Sequence, residues 1–185
     1  MLSLVLKERL VEILDKLLDE KEFLSPGGIR ALSKFHLLNP YSIHLKSTDY
    51  SIQYDPGDST SDFYGGNSNW RGPVWMPINY LIIKAIKKYG EFYGDSLKVE
   101  CPKGSGNKMN LKDVAAELTK RIASIFEKDE KDNRHTHGIY NSFYQLPENK
   151  DLLLFYEYFH GDTGSGLGAS HQTGWTAVLV DLIRD

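Results

Sequence analysis

The sequence predicts a mainly α fold with long, structured loops, and three observations predict it. Four segments carry apolar residues at helical spacing. No alternation of strand and helix patterns runs along the chain, and no internal repeat is visible. The connections between the helices are long and rich in aromatic residues, which disfavours disorder and favours a built surface.

The first helix is expected over Leu2–Leu18, where Leu6, Leu10, Ile13, Leu14 and Leu17 fall on one face. The second is expected over Pro73–Tyr89, with Trp75, Ile78, Leu81, Ile82, Ala85 and Ile86 as its apolar positions. Pro73 suits a first turn, where a missing N–H costs nothing. Pro77, four residues on, is able to displace that start. Asn110 is placed to cap a third helix that turns Leu111, Val114, Ala115, Leu118, Ile122 and Ile125 inward. A fourth is expected over Ser170–Ile183, capped by Ser170. One small hairpin is expected from Tyr41–Leu45 and Tyr50–Tyr54.

Composition narrows the class. The chain has 185 residues, a net charge of -3, 41% hydrophobic and 25% charged residues. A compact domain of that size buries about 70% of its unfolded surface. The slightly acidic balance argues against a general nucleic-acid binder, which needs a basic face. No apolar run approaches the ~20 residues that span a bilayer. The single cysteine, Cys101, makes no internal disulfide, and the cytoplasm is the expected compartment.

Three segments carry chemistry. In Leu154-Phe155-Tyr156-Glu157-Tyr158-Phe159-His160 a carboxylate sits among aromatics. An apolar wall disfavours the charged form of an acid and suits acid–base work. The alternative is an amphipathic element with Glu157 turned to solvent. The stretch Phe63–Trp75 combines Asn67, Asn69, Arg71, Trp70 and Trp75 around a helix start. Planar polar groups that bond vicinal hydroxyls, with rings that stack on C–H faces, suit a sugar. A core role competes for Trp75. His171-Gln172-Thr173-Gly174-Trp175-Thr176 bunches polar groups at a helix head, where they face a ligand or satisfy end-of-helix amides.

Other readings of the same residues fall away. Asp162-Thr163-Gly164-Ser165 spells the aspartic-protease tetrapeptide, but that chemistry shares a proton between two such motifs and no second copy exists. Gly164-x-Gly166-x-x-Ala169 lacks the surrounding βαβ unit of a dinucleotide site. Glu157-x-x-His160 lacks the second copy of a di-metal centre. For His135-x-His137 a polar turn is preferred to a metal pair.

The segments Asn69–Trp75, Tyr156–Tyr158 and Ala169–Thr176, together with Leu24–Ser33, resemble glycoside hydrolase family 63 over nearly the whole chain, in order and spacing. That family includes the processing mannosyl-oligosaccharide glucosidase and bacterial relatives that act on glucosides and mannosylglycerate. The resemblance implies an (α/α)6 barrel, an inverting reaction on an α-linked oligosaccharide, and Glu157 as the general base. Trp70, Arg71, Trp75, His160 and Trp175 are the candidate sugar-binding residues, and the chemistry requires no metal or organic cofactor. The family's general acid is an Asp in an upstream segment resembling Ser-Gly-x-Asp-x-x-Pro, which this chain lacks. Twelve helices of ~12 residues with connections of ~5 need about 200 residues before long loops are added, and the chain opens inside a helix pattern without a leader. Residues 1–185 are therefore expected to be the C-terminal fragment of a single (α/α)6 catalytic domain, inactive alone, with the N-terminal part of the same barrel as a partner. A non-catalytic carbohydrate-binding or interaction module is the alternative.

Overall fold

A computed structural model describes residue 3 and residues 5–60 and 68–184. Phe63, Tyr64 and Asn67 of the expected sugar-binding stretch, and Leu2 of the first helix, lie outside the described residues. Among the described residues, six α-helices and four two-stranded antiparallel hairpins are interspersed along the chain. Among the described residues the helices do not close a barrel.

Helix α1 (Lys7–Leu17) begins later than expected, because Leu6 is extended at its N-cap. Its buried face is Leu10 and Leu14, continued by Leu18. Helix α2 (Met76–Tyr93) and helix α3 (Leu111–Ser124) form the main helical pair. Ile83 and Ile86 of α2 meet Leu111, Val114, Leu118 and Ile122 of α3 in one apolar core. Gly90 lets the two backbones meet: a Cβ there would stand 2.7 Å from the backbone nitrogen of Lys112. Asn110 caps α3 as expected, its side-chain oxygen accepting from the amides of Lys112 and Asp113 at 3.0 Å each.

The start of α2 corrects the sequence reading. Pro73 stands outside the helix and Pro77 occupies its first turn. Val74 is extended and pairs with both Arg30 and Phe159 as isolated antiparallel bridges. Val74 and Phe159 exchange hydrogen bonds of 2.8 and 2.9 Å, and the Ala31 amide donates to the Pro73 carbonyl at 2.9 Å. These tertiary bonds outcompete helical ones for the backbone of Pro73 and Val74. They join three distant segments directly under the candidate site.

The hairpins are more numerous than expected. β1 (Leu24–Ser25) pairs with β2 (Gly28–Ile29), and β3 (Tyr41–Leu45) pairs with β4 (Thr48–Ile52). β5 (Lys98–Glu100) pairs with β6 (Lys108–Asn110), and β7 (Tyr158–Phe159) pairs with β8 (Gly166–Leu167). The strands of β1–β2, β5–β6 and β7–β8 are two or three residues long, too short to display an alternating pattern. The β3–β4 hairpin was expected, but its second strand starts at Thr48, with Tyr41 opposite Ile52. Asn79, fully buried on α2, holds the β1–β2 hairpin: its side chain accepts from the Ile29 amide at 2.7 Å and donates to the Ile29 carbonyl at 3.0 Å.

The C-terminal region is built of shorter pieces than expected. Helix α4 (Asn141–Tyr144), outside every expected helix, follows a 3-10 segment at His135–Tyr140. Helix α5 (Thr173–Thr176) and helix α6 (Leu179–Arg184) replace the expected Ser170–Ile183 span, and Gln172, not Ser170, is the N-cap. The Gln172 amide donates to the Phe155 carbonyl and the Thr176 hydroxyl to the Tyr156 carbonyl. The head of α5 is thereby tied to the segment that carries Glu157, and its start follows that tie.

Candidate functional site

Glu157 immediately precedes β7. Its backbone amide donates to the Ala169 carbonyl at 2.9 Å, so its position is set across the β7–β8 hairpin. Its carboxylate is half-buried and, among the described residues, has two donors. The Ser68 hydroxyl donates to Oε1 at 2.6 Å. The Ala169 amide donates to Oε2 at 3.2 Å. Among the described residues no lysine or arginine pairs with Glu157. The backbone of Gly168 is pressed against it: φ is +70°, and a Cβ there would lie 2.7 Å from Oε2. Only glycine combines that left-handed conformation with so close an approach.

The aromatic residues form one stack beside this carboxylate. Trp70 lies over Trp75 with ring centroids 3.9 Å apart, and Trp75 lies over Tyr158 at 4.8 Å. Trp175 meets Trp75 edge-on at 6.1 Å. Trp75 is the buried centre of the stack, 2% exposed, with its indole nitrogen donating to the Asn69 carbonyl at 3.0 Å. Trp70 and Trp175 are the exposed outer faces, at 48% and 38%. The stack joins the Trp70, Glu157 and Trp175 segments at one place, each contributing a ring or its neighbour.

Beneath the stack, polar side chains tie the loops together. Asn69, 2% exposed, spends its whole side chain on the fold. Its amide nitrogen donates to the carbonyls of Asp55 and Gly57 at 2.7 and 2.9 Å, and its oxygen accepts from the Arg71 amide at 3.0 Å. Arg71 reaches Asp55 at 2.9 Å and Ser59 at 3.2 Å. The amide and guanidinium read from the sequence as sugar contacts thus hold residues 55–59 against the Trp70 loop. Sequence reasoning missed Ser68 and Asp58. Asp58 accepts from the Tyr158 hydroxyl at 3.2 Å, and burial, with that carboxylate nearby, pushes the Tyr158 phenol up.

His160 lies along the same loop. Its Nδ1 accepts from the backbone amides of Asp162 and Thr163 at 3.1 and 3.3 Å, which leaves the proton of the neutral ring on Nε2. Burial pushes the imidazole down, against the pull of Asp162, Asp55 and Asp58, so the neutral form is favoured.

Asp162 is a different kind of acid. Arg30, with a side chain only 4% exposed, pairs with it at 2.8 Å, and Lys34 at 3.1 Å. The Tyr54 hydroxyl donates to the same oxygen at 3.1 Å. Burial pushes the Asp162 carboxyl up, but Arg30 and Lys34 outweigh it and hold it below the usual range. The aspartic-protease spelling is therefore the connecting loop of a hairpin, closed by ion pairs. His137 is buried and stacks on Tyr144 with centroids 3.9 Å apart, so the His135–His137 pair belongs to a packed turn. Among the described residues no three potential ligands converge on a metal position.

Among the described residues, a carboxylate without a cation partner thus stands beside exposed, stacked indoles. Comparisons with known proteins place the chain in a family. Residues 5–176 match the family described as "Mannosylglycerate hydrolase MGH1-like glycoside hydrolase domain", and the chain belongs to it. It is 50% identical, over its whole length, to a Saccharomyces cerevisiae protein described as "Uncharacterized protein YMR196W", of which it covers 17%. It is 28% identical over 66% of its length to the mannosyl-oligosaccharide glucosidase of the same yeast, covering 12% of that protein. It is 25% identical over 96% of its length to a probable mannosyl-oligosaccharide glucosidase of Schizosaccharomyces pombe, covering 15% of it. The resemblance read from the sequence is thus shown, and the chain spans less than a fifth of the length of these curated relatives.

Proposed function

We propose that this chain supplies the general-base side of an inverting α-glycoside hydrolase that acts on oligosaccharides. The observation that carries the reading is the Glu157 carboxylate, held, among the described residues, by two neutral donors and no cation beside the Trp70–Trp75–Tyr158–Trp175 stack. A base must be charged and have lone pairs open to a water proton. Ser68 and Ala169 each occupy one site on a carboxylate that offers about four, so accepting capacity remains. Glu157 deprotonates the water that attacks the anomeric carbon, from the face opposite the departing oxygen. Trp70 and Trp175 offer exposed ring faces to sugar C–H groups, with Trp75 bracing them from beneath. His160, neutral, offers its Nε2 proton to a hydroxyl, and Arg71 sets the loop on which Trp70 stands. No step calls for a metal or organic cofactor.

The proposal extends to the rest of the machine. Helices α2, α3 and α6 border a groove of about 540 Å³ whose apolar lining includes Ile83, Ala115, Ala123, Leu182 and Ile183. Leu81 and Ile183 are 62% and 60% exposed. Such faces suit burial against further helices of the same (α/α)6 domain, which would also bring the general acid. The domain thus contributes its C-terminal part here, in a cytoplasmic enzyme.

The test is the stereochemistry of turnover. A full-length protein carrying this segment should hydrolyse an aryl α-glucoside or an α-linked oligosaccharide and release the β-anomer first, as read by proton NMR within seconds of mixing. Initial release of the α-anomer sinks the inverting mechanism. Tight sugar binding without any turnover favours the non-catalytic binding module.

A further inference from the structure

Ser68 lies in the Phe63–Trp75 stretch but is none of the groups that stretch was read for, yet among the described residues it makes the shortest contact to the candidate base, 2.6 Å from its hydroxyl oxygen to Glu157 Oε1. An ionised carboxylate only accepts hydrogen bonds, so the Ser68 hydroxyl must donate. We propose that Ser68 is the positioning residue of this site, whose hydroxyl fixes the orientation of the Glu157 carboxylate before substrate arrives; this rests on the reading of Glu157 as the base.

Three features make the contact more than a passing surface bond. The first is the rigidity of the donor. Ser68 adjoins Asn69, whose buried side chain is spent on Asp55, Gly57 and Arg71 and whose carbonyl is held by the Trp75 indole. The donor is therefore fixed by a residue that cannot move without opening the loop. The second is the division of labour on the carboxylate. Ala169 donates to Oε2 and Ser68 to Oε1, so the two oxygens are held from separate segments. Two fixed points define the carboxylate plane, whereas one would leave it free to rotate about its terminal torsion. The third is the space the carboxylate occupies. A Cβ at Gly168 would stand 2.7 Å from Oε2 and 3.0 Å from the Glu157 Cβ, so only a glycine there leaves the carboxylate its place. Loss of Ser68 therefore leaves the carboxylate held at Oε2 alone and free to turn from the orientation the two donors impose. A base displaced by a fraction of an ångström loses rate steeply, because proton abstraction needs hydrogen-bond reach to the attacking water.

Ser68 acts through Glu157, and its signature is a fall in kcat with sugar binding retained. In a full-length protein carrying this segment, Ser68→Ala should lower kcat roughly tenfold to a hundredfold on an aryl α-glucoside, the range of one hydrogen bond to a charged group. KM should stay within about twofold. Ser68→Thr keeps the hydroxyl and should restore most of the rate. A crystal structure of Ser68→Ala should show the Glu157 carboxylate turned from its parent orientation. The idea is overturned if Ser68→Ala keeps kcat within twofold of the parent, if Thr restores nothing, or if the carboxylate stays in place without the serine. The crystallographic readout needs no activity, so it decides the positioning role on any outcome of the rate assay. Glu157→Gln separates the two readings. If that change leaves turnover intact, Glu157 is not the base; if it abolishes turnover while Ser68→Ala does not lower it, only the positioning role fails.

Discussion

Glu157 and Asp162 belong to one hairpin, β7–β8, and their surroundings differ as much as two carboxylates' can. Asp162, in the connecting loop, meets a buried guanidinium, an ammonium and a tyrosine hydroxyl. Glu157, at the foot of the hairpin, meets a serine hydroxyl and a backbone amide. The first set neutralises a charge and ties residue 30 to residue 162. The second orients a charge without neutralising it. Paired carboxylates are common structural devices, so the pairing argues that Asp162 belongs to the scaffold. The absence of a cation beside Glu157, among the described residues, leaves its charge available for chemistry.

The comparison breaks most decisively through activity. In a full-length relative that turns over an α-glucoside, the change equivalent to Glu157→Gln should lower kcat by roughly two to four orders of magnitude, the usual contribution of a general base. Asp162→Asn should leave kcat per folded molecule within a fewfold. If the Asp162 change abolishes turnover in folded protein and the Glu157 change does not, the roles are reversed.

Stability should show the opposite ranking. Asp162→Asn leaves the Arg30 guanidinium, buried to all but 4% of its side chain, without its anionic partner. The cost should be about 2 kcal/mol, discounted from that of a fully buried pair because Asp162 and Lys34 both reach solvent. Glu157→Gln should change stability by less than about 1 kcal/mol. Denaturant midpoints for the two variants measure this, and a larger loss for Glu157→Gln would make that residue the structural one.

A smaller effect sharpens the contrast through pH. The folded Asp162 carboxyl lies below its ordinary range, because Arg30 and Lys34 outweigh burial. The stability this contributes is complete above about pH 4, the unfolded value, and is lost as the pH falls through the lower folded value. Asp162→Asn should therefore flatten the acid side of the stability curve. Burial pushes the phenols of Tyr54, Tyr156 and Tyr158 up. Their contribution is complete below about pH 10 and is lost as the pH rises through the raised folded values. Tyr54→Phe should flatten part of that alkaline loss, and an unchanged curve would show that the phenol titrates as freely folded as unfolded.

The same contrast explains how far the sequence could be read. Helical periodicity is a local signal, and it located α1, α2 and α3, but it misjudged the buried face of α2: Ile78 and Leu81 are exposed, while Met76, Asn79, Ile83, Ile86 and Gly90 are buried, because α3 packs against that side. The Asn110 cap was legible because capping is settled within three residues. The expected start of α2 at Pro73 failed because Val74 pairs with Arg30 and Phe159, partners 44 and 85 residues away in the chain. The single last helix failed because Phe155 and Tyr156 take hydrogen bonds from its head.

By itself the sequence determined the helix-rich class, the family and the segments that carry Trp70, Glu157 and Trp175, since all of these are written in residue type, order and spacing. Only the tertiary structure decided which polar groups are spent on the fold. Asn69 and Arg71 look as fit for a sugar as Ser68 looks unremarkable, yet the first two tie loops together and the third touches Glu157. Asp162 looks as catalytic as Glu157 until Arg30, 132 residues away, is placed against it. A carboxylate's role depends on the charge within a few ångströms of it, and chain folding alone sets that distance.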